Sequence, residues 1–324
     1  MSALVSAVTI SWNSAAEIAG LLSSLAADAA VTEIIVVDNG SVDGTLAVVR
    51  AGCPSAKLIY NEDNRGFAAA ANQGIRAATG EYILLVNPDI SFVPGFVGRL
   101  LSAIDKPSAG WAAGGVGAVA PKLVRPDSAG LIDSAGLVMH RNRKALDRGR
   151  EERDMGQYDV PCRVFGPCGA CALLLRRMLD DVAVDGEVFD ESFFSYKEDV
   201  DLAWRMNLMG WDTLYVPDAV AEHGRGWKES GRSSVPRSIR RHSHKNRYLT
   251  MIKNDDPASV LMSLPWLMWY ELKLMTYALL FEPFLFLAYA DVVKLLPDAL
   301  AKRRDIMARR RISAKEMRRL FGEP

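Results

Sequence analysis

Three carboxylates fall within four residues at Glu198-Asp199-Val200-Asp201, and the aromatic run Phe193-Phe194-Ser195-Tyr196 leads directly into them. Acids this close disfavour one another's charge, which raises at least one pKa and suits a general base. A helix is expected to start at the same place, over Asp199–Met209, and a helix N-terminus also favours acids through its dipole. That plainer account covers Glu198 and Asp199 but not the aromatic run before them. Asp201 and Arg205 stand four apart on this helix and are expected to pair.

Other polar groups follow short apolar runs. In Val36-Val37-Asp38-Asn39-Gly40-Ser41, the carboxylate of Asp38 can accept a hydrogen bond from a base N–H or a ribose. Asn39-Gly40 also makes a turn, and Asp43 is the expected cap of the next helix. Asn64-Arg65-Gly66-Phe67, followed by Asn72, sets a glycine where backbone can approach a ligand and an arginine suited to phosphate. Asn64 equally suits a helix start. Asp89, in Asn87-Pro88-Asp89, can hold a divalent cation that bridges two phosphates, although Pro-Asp is also common turn chemistry. His223 follows an expected strand at Trp211–Val216. A lone histidine is usually structural, and only its place relative to the acids makes it a candidate metal ligand.

Two patterns lead nowhere. Cys168-Gly169-Ala170-Cys171 has only Cys162 as a nearby third thiol, short of a four-ligand zinc site, and it enters a β-like run rather than a helix. Gly115-Val116-Gly117-Ala118-Val119-Ala120 does not open a helix, as a dinucleotide fingerprint must, and meets Pro121.

The elements that must position these residues alternate. Strands are expected at Leu4–Ser11, Glu33–Val37, Lys57–Tyr60 and Glu81–Val86, and helices at Ala15–Ala29, Thr45–Ala51 and Phe67–Ala78. Nearly continuous apolar strands alternating with helices imply a parallel α/β sheet. Ligands bind beyond the carboxyl ends of such strands. Those ends carry Ser11-Trp12-Asn13, Asp38–Ser41 and Asn87-Pro88-Asp89. Gly110 to Arg177 is less regular, with β-like runs at Val116–Ala120 and Leu131–Met139 and a charged loop at Arg141–Asp154. It reads as mixed sheet beside an acceptor cleft. Arg237–Lys253 is expected as a basic, polar helix.

The chain has 324 residues, 49% of them hydrophobic, enough for one large or two modest domains. Lys+Arg and Asp+Glu both total 39, so net charge points to no partner, and no nucleic acid is expected. Four cysteines are too few for a disulfide framework. Met1–Trp12 lacks a basic leader, which places the catalytic part in the cytoplasm as an expectation. Val260–Leu296 is rich in Leu, Met, Phe, Trp and Tyr, but Pro265, Glu271, Lys273, Glu282, Pro283, Asp291 and Lys294 interrupt it. It therefore reads as in-plane amphipathic helices rather than a spanning one. From Lys302 onward nine basic residues face three acidic ones, which suits anionic headgroups. The alternative is a helical hairpin packed on the catalytic part or on a second subunit, as in a homo-oligomer. The expected division is a catalytic domain over 1–254 and a helical tail over 255–324.

Together these residues resemble the family-2 inverting glycosyltransferases of GT-A fold, over roughly residues 4 to 250, and within them the rhamnosyltransferase-like members. The resemblance implies a mixed α/β sheet flanked by helices. It implies that Ser11, Asn13, Asp38, Asn64, Arg65, Gly66, Asn72, Asn87 and Asp89 bind a dTDP- or UDP-sugar. Glu198-Asp199 resembles the family's acidic pair, whose second member is the base. Asn87-Pro88-Asp89 occupies the D-x-D place, with Asn87 replacing the first acid, so Asp89 and His223 are left to hold Mg²⁺ or Mn²⁺. Gly169–Leu174 looks like the acceptor-side strand. The apolar and basic C-terminal region suggests a polyprenyl-diphosphate-linked acceptor at the cytoplasmic face of the plasma membrane. A nucleotidyltransferase would instead show a glycine-rich phosphate loop after the first strand, where Ser11-Trp12-Asn13-Ser14 stands. A catalytically dead membrane scaffold would not need Asp38, Asp89, Asp199 and His223 together.

Overall fold

The computed structural model describes residues 4–104, 114–126, 130–224 and 235–322. The start of the irregular middle region, Gly110–Ala113, and Glu323 of the basic tail lie outside them. The first half alternates as expected: β1 (Val5–Ser11), α1 (Ile18–Ala27), β2 (Val31–Asn39), α2 (Thr45–Gly52), β3 (Lys57–Asn61), α3 (Phe67–Ala77) and β4 (Tyr82–Val86). Helix α1 starts later than its apolar spacing suggests, because Glu17 and Ile18 first close a turn on the Ser14 carbonyl. Then come β5 (Ile90–Ser91), α4 (Phe96–Ile104), β6 (Val116–Val124), β7 (Ile132–Ser134), β8 (Leu137–His140), β9 (Ala145–Asp147), β10 (Cys162–Val164), β11 (Cys171–Leu175) and α5 (Arg176–Val182). The remainder is α6 (Glu198–Leu208), β12 (Asp212–His223), α7 (Arg237–Asn254), α8 (Pro257–Met262), α9 (Leu264–Phe281), α10 (Phe286–Arg309), α11 (Ala314–Arg319) and β13 (Phe321–Gly322).

The main sheet runs β10-β12-β6-β11-β4-β1-β2-β3, with β5 on β12 and β7 on β6. Strands β3, β2, β1 and β4 pair in parallel, and β11 enters antiparallel between β4 and β6. Strands β1 and β4 are buried along their whole length, whereas the edge strand β3 stays partly exposed. Two sequence expectations change. The charged loop at Arg141–Asp154 contains β9, which pairs with β8. The strand expected to stop at Val216 continues to His223, because the register slips between Val216 and Val220 and the bulge absorbs Pro217. His223 therefore sits on the sheet, opposite Ile90, rather than in a loop beyond it.

The C-terminal region does not separate from the body. Ile306, Met317 and Phe321 belong to the main hydrophobic core, and β13 pairs with β8. Of the nine basic residues expected to face headgroups, five are held by the chain itself. Lys302 meets Asp190 (2.8 Å), Arg303 the Ile252 carbonyl (2.7 Å), Arg309 the Asp181 and Ala183 carbonyls, Arg310 Asp256 (2.5 Å) and Arg311 Asp181 (2.6 Å). Helix α9 is different. Only Leu267 and Ala278 along it are fully buried, while Met268, Trp269, Leu279 and Phe281 are each 60–69% exposed. No helix among the described residues is long and apolar enough to cross a membrane.

Candidate active site

The carboxyl rim of the sheet gathers most of the residues singled out above. Ser11 and Asp38 end β1 and β2 in register, and the Asp38 carboxylate accepts from Ser11 Oγ (3.0 Å) and the Ser41 N–H (3.1 Å). Asp38 is fully buried, so in this conformation it braces the turn beneath the rim. Asn13 accepts the Val42 N–H (2.9 Å) and stays exposed, next to the 55% exposed ring of Trp12. Asp43 accepts the Thr45 N–H and so does cap α2, from one residue outside the Gly44 N-cap.

Asn39 organises the next loop, a role its turn-like sequence context hid. Its Oδ1 accepts from the Arg65 N–H and Asn61 Nδ2, and its Nδ2 donates to Asn64 Oδ1 and the Gly66 carbonyl. Arg65 is thereby left exposed at the rim. Gly66 has φ +83°, and a Cβ there would lie 2.5 Å from the Phe194 carbonyl oxygen. The close approach anticipated for a ligand is thus made to the aromatic run. Asn72 also has another task. It is buried and pins Phe189 from both sides, donating to its carbonyl (2.8 Å) and accepting its N–H (2.9 Å). Gly66→Ala combines a left-handed backbone with that clash. It is expected to cost about 1–3 kcal/mol or more in urea unfolding, and unchanged stability would show that Phe194 can move aside at little cost.

Strand β11 brings the acids to the same rim. The Asn87 N–H donates to the Ala170 carbonyl (2.8 Å), which places Gly169 beside the end of β4. The Gly169 N–H in turn donates to Asp199 Oδ2 (3.1 Å), and Asp199 Oδ1 accepts the Val200 N–H (2.8 Å). A Cβ on Gly169 would press on the Asp199 side chain at 3.2 Å, so the glycine shapes the seat. Burial, and then the nearby charge of Asp147, raise the Asp199 pKa above its usual range. Burial, and then the charge of Asp199, push Glu198 up to about 8. Glu198 Oε2 is buried with no hydrogen-bond partner, which favours its neutral form. Asp201 pairs with Arg205 as expected (3.0 Å), and also with Lys253 (3.0 Å), inside a buried cluster that includes Asp190 and Lys302.

His223 ends β12, opposite Ile90 of β5. Its Nδ1 bonds Asp133 Oδ2 (2.7 Å), and its Nε2 stands 3.4 Å from Asp89 Oδ2. Burial opposes its charge, but the hydrogen bonds to Asp133 and Asp89 outweigh that and push the pKa up to about 9. Asp133, unnoticed in the sequence, orients the ring as carboxylates orient metal-bound histidines. Among the described residues no group of three His, Cys, Asp or Glu side chains is placed to hold a metal ion. Once the Nε2 proton is displaced, a carboxylate oxygen and an imidazole nitrogen fit a cation that takes its other ligands from a diphosphate and water. The four cysteines are unbridged.

A mixed sheet whose carboxyl rim collects a candidate base and a carboxylate–imidazole pair is the layout of a GT-A glycosyltransferase. Residues 6–183 match the model of glycosyl transferase family 2, and the chain belongs to that family. It is 28% identical over 279 residues to the N-acetylglucosaminyl-diphospho-decaprenol L-rhamnosyltransferase of Mycobacterium tuberculosis, covering 77% of this chain and 84% of that protein. The pre-mycofactocin glycosyltransferase of the same organism is 27% identical over 244 residues, 71% of this chain and 47% of its own. Among solved structures, GalNAc-T7 with UDP, GalNAc and Mn²⁺ superposes with a TM-score of 0.56 at 14% identity, over 78% of this chain but 48% of that one. A mannosyltransferase from Pyrobaculum calidifontis in complex with GDP-Man and Mn²⁺ gives 0.53 at 18% identity, over 95% and 86%. At those identities the likeness establishes the fold.

Proposed function

We propose that this glycosyltransferase moves L-rhamnose from dTDP-β-L-rhamnose, with inversion, to a hydroxyl of a polyprenyl-diphosphate-linked saccharide in cell-wall or surface-polysaccharide assembly. The observation that carries the reaction is Asp199. Its carboxylate is held by the Gly169 N–H at the sheet rim, with its pKa raised toward the range of a useful base. The rhamnosyl group and the lipid-diphosphate acceptor rest on the likeness to the mycobacterial rhamnosyltransferase, and the dTDP carrier on the resemblance to rhamnosyltransferase-like members of the family. A UDP-hexose or UDP-galactofuranose is the second donor reading.

In this scheme Asp199 takes the proton of the acceptor hydroxyl as its oxygen attacks the anomeric carbon, and the nucleoside diphosphate leaves from the opposite face. Glu198, kept neutral, spares Asp199 a second adjacent charge. Asp89 and His223 would hold a divalent cation, which neutralises charge on the departing diphosphate when bound. Ser11, Asp38 and the Asn39-braced loop bearing Asn64 and Arg65 form the donor side. The outward face of α9 suits peripheral attachment to the cytoplasmic leaflet, with its tryptophans at headgroup depth. Catalytic residues 1–254 are then completed by α10 to β13, and α8–α9 form the membrane-facing part.

The test is a panel of dTDP-rhamnose, UDP-glucose and UDP-galactofuranose with a lipid-linked acceptor mixture, with Mg²⁺, Mn²⁺ or EDTA, for wild type and Asp89→Ala. Turnover of dTDP-rhamnose that is lost in EDTA and in Asp89→Ala is expected. Turnover of a UDP-sugar alone would replace the donor, and no turnover together with no nucleotide binding would favour the scaffold.

A further inference from the structure

Three of the four residues before α6 hold an improbable backbone. Phe194 (φ 65°), Tyr196 (φ 71°) and Lys197 (φ 68°) are all left-handed, and none is glycine. Such residues cost on the order of 1–3 kcal/mol each and persist only where the surroundings impose them. Here the surroundings are one face of α7. Asn246 is fully buried, and its Nδ2 donates to the carbonyls of Phe193 (3.0 Å), Ser195 (3.0 Å) and Tyr196 (2.7 Å). Lys245 Nζ donates to the Ser192 carbonyl (2.5 Å), and the His242 ring stacks on Phe194 at 5.0 Å. From the other side, Gly66 admits the Phe194 backbone, and the Ala68 N–H donates to its carbonyl (3.1 Å). The strained segment then turns straight into Glu198 and Asp199.

We propose that Asn246 is a positioning residue for the transfer reaction. It clamps the Phe193–Lys197 segment so that the first turn of α6 delivers the Asp199 carboxylate to the Gly169 seat. The proposal rests on the reading of Asp199 as base. The geometry argues for the donors of Asn246 rather than its volume, because two amide protons serve three carbonyls that would otherwise turn away. Without them the segment can relax out of the left-handed region, and Asp199 moves with it. Asn246 itself touches none of β1, β2 and the Asn39-braced loop, but the segment it clamps packs on that loop at Gly66 and Ala68, so the donor side feels its loss less directly than Asp199 does.

The experiment compares full-length wild type with Asn246→Ala, Asn246→Asp, Lys245→Met and Asp199→Asn, by steady-state transfer kinetics, nucleotide titration and thermal melting. A misplacement near 1 Å can cost on the order of 10²-fold. Both Asn246 variants are expected to lose about that much in kcat, with a clearly smaller change in donor KM and nucleotide affinity through the Gly66 contact. Asn246→Asp keeps the shape but has no donors, so it should fail as badly as Asn246→Ala. Lys245→Met, which frees only the far end of the segment, should lose less than either and serves if the Asn246 variants do not fold. An active Asn246→Asp, or a loss that appears equally in KM and nucleotide affinity, overturns the positioning role. So does a Lys245→Met enzyme with wild-type kcat if it is the only variant that folds. Wild-type activity in Asp199→Asn would instead sink the assignment of the base, whatever Asn246 does.

Discussion

Replacing Asp199 with Asn is expected to lower turnover by about 10³-fold while nucleotide binding is kept, within the range removed with a general base. Asparagine fills the same space and its one carbonyl oxygen can still receive either the Gly169 or the Val200 N–H, so the variant loses the basicity together with one of the two seat hydrogen bonds. Glu198→Gln should behave differently. Burial and the charge of Asp199 hold Glu198 neutral well above the usual carboxylate range, and glutamine imitates that neutral acid. A loss much smaller than that of Asp199→Asn is expected. The pH profile separates the two acids. The kcat of the wild type should rise with pH as Asp199 gives up its proton, with a midpoint above that of an ordinary aspartate. Stability should show the opposite sign. A carboxyl whose pKa is raised on folding stabilises most below its unfolded pKa, and that contribution is lost as pH rises through the folded value. Glu198→Gln removes this loss, so its melting temperature should gain on wild type between pH 5 and pH 8. Equal losses of activity in both variants would mean that Glu198 takes or passes a proton itself.

The strands and helices of the first half were legible because their apolar runs are long, uninterrupted and bounded by turn chemistry. So were the polar clusters at the strand ends, since a parallel sheet puts ligands there. What stayed hidden depends on contacts far apart in the chain. Asn72 lies in the expected helix and, by the resemblance, would reach a nucleotide sugar, yet its partner is Phe189, 117 residues away. Asp133 is one acid in a β-like run until β6 and β7 bring it under His223. Pro217 reads as a strand end, and only pairing with β6 shows that a bulge carries the strand through it. Asn246 sits on a basic helix whose composition says nothing about the loop it holds. The basic tail misleads for a related reason. A run of charges counts the same whether its partners are headgroups or buried carboxylates, and Lys302 has chosen Asp190.

Removing Ser313–Pro324 is expected to destabilise the catalytic fold, although those residues lie more than a hundred positions beyond Asp199. The segment enters through a capping box in which the Ser313 side chain and Glu316 satisfy each other's backbone N–H groups, and it ends with β13 pairing along β8. Between them Met317 is 3% exposed and Phe321 5%. The Phe321 ring packs against Trp204 (5.5 Å) and Phe165 (6.3 Å), and the Arg143 guanidinium lies over it at 4.4 Å. Burying two such side chains contributes about 3–6 kcal/mol together, and the truncated chain should unfold at correspondingly lower urea. Activity should fall as well, because Trp204 rides on α6 one turn beyond the acidic pair. A cut at the boundary read from the sequence, after Asn254, should do worse. It also takes away Lys302 and leaves the buried Asp190 with Lys253 as its remaining cation among the described residues, and breaking a buried ion pair typically costs about 3–5 kcal/mol. If residues 1–254 instead gave a cooperative melt and bound nucleotide like the full chain, the C-terminal helices would be an attachment after all, and the packing of Ile306, Met317 and Phe321 would be incidental to the fold.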